Sequence, residues 1–355
     1  MRKIEDIDKN FAPVTVNGKE IVYYDAKGEM FDIYGLYEPR KTEKFCRLPP
    51  LEGVCEGVNT LADNTAGGRI RFSTNSPYIS VRTEIESACN MAHMTLCGSC
   101  GFDLYRFDGS EEKYVKTLIP SESICYGAKE FQCFADIGDG TELFLTLNLP
   151  LYNGIKKLEI GLAPEATLSH GAPFLLDKPI VYYGSSITQG GCASRPGNSY
   201  PALISHVTNI DHVNLGFSGS ACGEPSMAEY ISSLPMCAFV YDYDYNAWSP
   251  EYLAKTHEPF FLRIREKNPT LPVIMISAPC IATEDDRNQR RDVIRATYEN
   301  AVKRGDKNVY FIDGGHLYDG PLADSCTVDG VHPNDLGFYR MAQSILTVLK
   351  KALNI

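Results

Sequence analysis

Apolar and polar positions alternate with a period of two over the first ~165 residues, the pattern of strands buried on one side. Ile79, Val81, Thr83 and Ile85 fall on one side of an extended chain. Leu143, Leu145, Leu147 and Leu149 share a face, with Glu142, Phe144, Thr146 and Asn148 on the other, and Leu158, Ile160 and Leu162 continue the theme. Turn signals separate these runs: Asp63-Asn64, Gly67-Gly68, Asp108-Gly109 and Gly138-Asp139-Gly140. No long amphipathic helix is evident. Many short strands joined by turns predict a β-sandwich over residues 1–165.

The pattern changes near residue 175. Short apolar runs at 179–183, 213–217, 238–241, 272–276 and 309–312 now alternate with helical stretches near 199–207, 225–233, 250–266, 285–304 and 335–353. Strands alternating with helices predict an α/β domain over 175–355, a parallel sheet covered on both faces. The segment 163–178, with Pro164, Gly171 and Pro173, reads as the linker. In such sheets ligands meet the carboxyl ends of the strands, so the residues just after each run are the ones to inspect.

Those residues carry chemistry. After the first run comes Gly184-Ser185-Ser186-Ile187-Thr188-Gln189-Gly190. A serine at a strand-to-helix turn presents its hydroxyl beside backbone N–H groups that can stabilise an oxyanion, although turn chemistry alone also explains Ser and Gly there. After the second run comes Ser218-Gly219-Ser220, where glycine lets the backbone approach a ligand closely. After the third, Asn246 offers an amide donor, or a helix cap leading into Ser249-Pro250. Near the C-terminus, Asp329 stands three residues before His332, close enough to fold back and hold the imidazole in one tautomer. Asp313 and His316 have the same spacing, and the residues alone leave that tie open.

Bulk properties narrow the class. The chain of 355 residues is 44% hydrophobic and 22% charged, ordinary for a globular protein, and long enough for two domains. A net charge of −11 without a basic run argues against nucleic acid and anionic membranes as partners. The start, MRKIEDIDKNFAPV, lacks the apolar core of a signal peptide, and no stretch approaches the roughly 20 apolar residues of a membrane span. The chain as given therefore reads as cytoplasmic, with its twelve scattered cysteines as reduced thiols. Cys97 and Cys100 form the one close pair and lack the second pair that a zinc ribbon needs. His93, His170, His206 and His212 show no ligand spacing, so no metal is expected. His257 reads as a surface histidine of its helix. Tyr200, Tyr243, Tyr245 and Trp248 are candidates either for sugar platforms or for packing.

Four blocks in order resemble the SGNH/GDSL hydrolase superfamily. Gly184-Ser185-Ser186-Ile187-Thr188 resembles the nucleophile block, with Ser185 replacing its usual Asp. Asn214-Leu215-Gly216-Phe217-Ser218-Gly219 resembles the second block and Asn246 the third, although Asp244 stands where a glycine is usual. Asp329-Gly330-Val331-His332-Pro333 resembles the last block, which favours His332 over His316. Gly101-Phe102-Asp103-Leu104-Tyr105 resembles the GxDLY motif of the domain preceding some SGNH esterases. Within a strand-rich region it reads first as packing, with a border on the active site as the alternative.

The resemblance implies a flavodoxin-like three-layer α/β/α domain and an ester hydrolase that needs neither metal nor organic cofactor. In it Ser186 would be the nucleophile, His332 the base and Asp329 its orienting carboxylate. The N–H groups of Ser186 and Gly219 and the Asn246 amide would form the oxyanion hole. A β-sandwich beside such a domain resembles carbohydrate-acting esterases, which implies a small acyl group such as acetate on a carbohydrate or related small molecule. An acyltransferase with the same triad, or a non-catalytic carbohydrate-binding protein, are the alternatives.

Overall fold

The computed structural model describes residues 13–89, 91–279 and 285–355. Residues 1–12, on which the reading of the N-terminus rests, and Cys280 lie outside the described residues.

The first half is built from β1 (Val14–Val16), β2 (Lys19–Asp25), β3 (Asp32–Tyr34), the short helix α1 (Glu56–Leu61), β4 (Arg69–Thr74), β5 (Tyr78–Ile85), the turn-length helix α2 (Leu96–Ser99), β6 (Phe102–Phe107), β7 (Glu112–Leu118), β8 (Glu130–Asp136), β9 (Leu143–Asn148), β10 (Ile155–Leu162) and β11 (Leu168–His170). These strands form two antiparallel sheets, ordered β1-β2-β10-β5-β8 and β11-β4-β9-β6-β7, with β3 also on β4. The alternating residues face inward as their period requires: Ile79, Val81, Ile85, Leu145, Leu147, Leu158, Ile160 and Leu162 share one buried core. The segment 163–178 is more than a linker, because Leu168–His170 pairs with β4 and extends the second sheet.

The second half alternates strand and helix: β12 (Ile180–Gly184), α3 (Ser186–Gln189), α4 (Tyr200–Thr208), β13 (His212–Gly216), α5 (Pro225–Ser233), β14 (Ala238–Asp242), α6 (Pro250–Lys267), β15 (Val273–Ile276), α7 (Asp285–Lys303), β16 (Val309–Ile312) and α8 (Asp335–Leu353). The strands are parallel, in the order β13-β12-β14-β15-β16. This is the flavodoxin-like arrangement, whose strand order reverses at β12. Alternate residues of one strand feed opposite layers. Val181 and Tyr183 pack with Met227, Leu253, Phe260 and Ile264 from α5 and α6. Ile180 and Tyr182 pack with Ile204, Phe338, Met341 and Ile345 from α4 and α8. Among the described residues no helix is long and apolar enough to cross a membrane.

The halves meet through buried polar groups. Arg47, with 1% exposure, donates to the carbonyls of Leu61 (2.7 Å), Asn214 (3.0 Å) and Gly216 (2.6 Å), and so clamps the end of β13. Burial without a carboxylate partner pulls its guanidinium down to about 9. Arg69 pairs with Asp211 and donates to the His212 carbonyl (3.0 Å). Glu112 binds His206 Nδ1 (2.6 Å) and the Thr146 hydroxyl. Thr146 and Asn148, on the polar face of β9, are therefore buried rather than solvated.

Candidate active site

Ser186, Ser218-Gly219 and Asn246 follow the carboxyl ends of three neighbouring strands, β12, β13 and β14. They thus surround the point where the strand order reverses. Ser185 caps α3 by accepting from Ile187 N–H (3.2 Å), which fixes the turn that carries Ser186. Glycine is required beneath this turn: a Cβ at Gly216 would run into the backbone of Thr188 and Gln189. Gln189 ties the neighbouring turn in place by accepting from Ser218 N–H (2.9 Å).

His332 arrives from the turn before α8. Asp329 Oδ1 accepts from Val331 N–H (3.0 Å) and His332 N–H (2.8 Å), and Gly330 takes the positive φ of 85° that the turn demands. Asn334 then caps α8 through Leu336 N–H (3.0 Å) and Gly337 N–H (3.2 Å). Asp329 Oδ2 lies 2.8 Å from His332 Nδ1, and His332 Nε2 lies 2.9 Å from Ser186 Oγ. With Nδ1–H donating to the carboxylate, Nε2 is free to accept the serine proton. Burial pushes the Asp329 carboxyl up, but the bonds from His332 and Val331 outweigh it and hold it down at about 2. It is therefore ionised across the neutral range. His316, by contrast, is 74% exposed and bonds Asp319 (2.8 Å), while Asp313 serves Arg295 (2.7 Å).

The side-chain oxygen of Asn246, in the orientation its neighbours require, accepts from Gly219 N–H (2.8 Å) and Ser220 N–H (3.0 Å). This leaves the Nδ2 hydrogens as the amide's donors. An incoming oxyanion would share Gly219 N–H with that amide oxygen. Two residues earlier, Asp244 stands fully buried with its Oδ2 on Ala278 N–H (2.9 Å). Burial pushes its carboxyl up to about 6. The unfolded chain ionises near pH 4 and the folded one near 6, so stability falls as pH rises through that window and the penalty is full above it. Asp244→Asn is expected to raise the melting temperature at pH 7.5, by lifting a cost of roughly 3 kcal/mol at most. At pH 4 the two proteins should melt together. A gap that stays constant with pH would show that the carboxyl is not strained.

Several residues sit where the chain pattern did not indicate. His257 is buried, not on the surface: α6 turns it inward onto the Tyr241 ring (4.7 Å) and the Thr297 hydroxyl (2.9 Å). Burial pulls its imidazole down to about 3. Tyr200 and Tyr243 are core residues, Tyr245 is half-buried with its hydroxyl on the Pro279 carbonyl (2.7 Å), and Trp248 is exposed against Tyr252. Cys97 and Cys100 are both free thiols, the second buried. The GxDLY residues do pack, but across the two halves. Asp103 Oδ2 accepts from Arg195 (3.0 Å) and Gly197 N–H (2.9 Å), its Oδ1 accepts from Asn148 (2.9 Å), and the Tyr105 ring stacks on His206 (3.8 Å). Arg195 and Gly197 belong to the loop following α3, so the motif braces the loop behind Ser186. His93 also reaches the site, with its ring 5.3 Å from that of His332. Its lone position in the sequence gave no signal of this.

The comparisons with known proteins agree with this architecture. Residues 177–350 match the GDSL-like Lipase/Acylhydrolase family, and residues 21–168 match the GxDLY family, the N-terminus of SGNH-hydrolase-type esterases. Residues 177–350 thus form a GDSL-like lipase/acylhydrolase domain behind a GxDLY domain of SGNH-type esterases, and the protein is an esterase/acylhydrolase. Among solved structures it is similar to a GDSL-like lipase from Bacteroides ovatus (29% identity, TM-score 0.80, covering 94% of this chain and 98% of that one). It shares its fold with a salicylyl-acyltransferase from a tetracycline biosynthetic pathway (20% identity, TM-score 0.73, 93% and 98% covered). It also shares it with an acetyl xylan esterase from the rumen bacterium Butyrivibrio proteoclasticus (13% identity, TM-score 0.55, 94% and 99% covered). A comparison with curated proteins gave no match.

Proposed function

We propose that this chain is a serine esterase that removes a small acyl group, acetate in the first instance, from a carbohydrate or related small molecule. Ser186 attacks the acyl carbon as His332 takes its proton, and Asp329 stabilises the imidazolium. Ser186 N–H, Gly219 N–H and the Asn246 amide bind the oxyanion. His332 then returns the proton to the leaving alcohol, and water, activated by the same imidazole, releases the acid. The observation that carries this reading is the chain of contacts Ser186 Oγ–His332 Nε2 (2.9 Å) and His332 Nδ1–Asp329 Oδ2 (2.8 Å). Carbohydrate as the alcohol is supported by the acetyl xylan esterase among the structural neighbours. The acyltransferase neighbour supports a second reading, in which an acceptor hydroxyl replaces water in the second half-reaction.

Turnover of p-nitrophenyl esters from acetate to octanoate tests the acyl group, with the short chains expected to be fastest; a preference for octanoate would refute a small-acyl pocket. Acetylated xylan or mannan oligosaccharides test the alcohol. Added sugars or alcohols distinguish the two readings: acylated acceptor in the products would favour transfer, and free acid alone favours hydrolysis. Asn246→Ala is expected to lower kcat by about a hundredfold or more, the usual effect of losing one oxyanion donor. Unchanged kcat in that variant would remove Asn246 from the site.

A further inference from the structure

We propose that His93, Cys192 and His332 form a site for a zinc-class transition-metal ion, and that filling it reversibly switches the esterase off. One ligand atom from each of the three lies within 4.8 Å of the other two. They come from three separate parts of the chain. His93 lies on the segment between β5 and α2, which leaves the β-sandwich and is tied to the catalytic side by Thr95 Oγ1, a donor to the Ser194 carbonyl (2.9 Å). Cys192 is buried in the turn after α3, held at a positive φ of 72°. His332 comes from the turn before α8.

The donor set suits the metal. Two imidazoles and a thiolate are preferred ligands of zinc and related soft or borderline ions, whereas magnesium and calcium take oxygen. Tetrahedral zinc holds such atoms roughly 3.3–3.7 Å apart, from its usual bond lengths. The three groups therefore need to close by at most about 1.5 Å, and the fourth position stays open to water. Binding forms two metal–nitrogen bonds and one metal–sulfur bond and releases the Cys192 proton to solvent.

The consequence for turnover rests on the proposed role of His332, whereas the binding does not. Both nitrogens of His332 are engaged, Nδ1 with Asp329 and Nε2 with Ser186. A metal on Nε2 displaces the serine, and a metal on Nδ1 displaces the orienting carboxylate. Either way no base remains for Ser186.

Cys55, Cys222 and Glu224 gather within the same distance of one another at a separate place and must be controlled for. The test therefore uses the Cys55→Ser/Cys222→Ser protein titrated with Co²⁺. One equivalent should bind with a thiolate-to-metal charge-transfer absorption, be displaced by Zn²⁺ and ignore Mg²⁺. Cys192→Ser, a one-atom change, should abolish that band, and His93→Gln should weaken binding tenfold or more; circular dichroism confirms that both fold. In parallel, Zn²⁺ should inhibit p-nitrophenyl acetate turnover and EDTA should restore it. Measured against each variant's own zinc-free turnover, His93→Gln and Cys192→Ser should need at least tenfold more zinc for inhibition. Absence of the thiolate band, or zinc inhibition that survives Cys192→Ser, overturns the site. A cobalt band with unaltered turnover supports the site but overturns the switch, and with it the role of His332 as base. Should no ester be turned over, the cobalt band alone decides the site.

Discussion

Ser186→Ala is expected to lower turnover by roughly 10⁵–10⁶-fold, the scale seen when a triad nucleophile is removed from a serine hydrolase. The residual rate comes from whatever binding and oxyanion stabilisation remain. Stability should be unchanged within about 0.5 kcal/mol, because the Ser186 hydroxyl contacts His332 and supports no buried structure. Its carbonyl, which accepts from the Tyr152 hydroxyl (3.1 Å) and Gly191 N–H (2.8 Å), is retained in alanine. Steady-state kinetics and thermal melts on the same preparation separate the two effects. A modest loss of turnover would mean that another group attacks the ester. A large drop in melting temperature would mean that the lost activity reflects unfolding.

Asp103→Ala should do the opposite, acting first on stability. Asp103 is fully buried, and it joins Arg195, Gly197 and Asn148 across the two halves. Removing it leaves the Gly197 N–H without its acceptor and the Arg195 guanidinium with the neutral Tyr105 hydroxyl in place of a carboxylate. Breaking a fully buried pair from one side costs about 3–5 kcal/mol, and with the Arg195 side chain 22% exposed the loss here should be nearer about 2–3 kcal/mol. Turnover should fall with it, because Ser194, next to Arg195, donates to Asp335 (2.9 Å) at the start of α8, and α8 follows directly on His332. Chemical denaturation read by fluorescence checks the first effect, and kcat well below the melting temperature checks the second. Full stability in Asp103→Ala would show that the two halves hold together without the motif.

Much of this was legible in the chain. A period of two followed by strand–helix alternation gave both layers of architecture, because that pattern is local and the sheets bury it directly. The five parallel strands fall within a residue or two of the apolar runs. What the pattern could not supply was the contact between the halves. Thr146 and Asn148 look like a solvated strand face, yet they are buried and bond Glu112 and Asp103, which in turn hold His206 and Arg195 of the second half. His257 looks exposed on a polar helix, yet two helices and the sheet enclose it. Arg47 sits in a stretch without periodicity, and only the fold carries it to the carbonyls at the end of β13. The site itself divides the same way. Ser186, Gly219, Asn246 and His332 each follow a strand end or precede a helix, and motif order set His332 above His316. His93 and Cys192 have no neighbouring pattern to mark them, and they meet His332 only once the sandwich docks.

The most direct measurement is covalent capture. The protein would be treated with a fluorophosphonate, then mapped by peptide mass spectrometry, with His332→Ala treated in parallel. The expected result is a single adduct on Ser186 that forms at least a hundredfold more slowly without His332, a general base being worth about 10²–10⁴ in rate. An adduct on another residue, or equal labelling of Ser186 in both proteins, would contradict Ser186 as a nucleophile activated by His332.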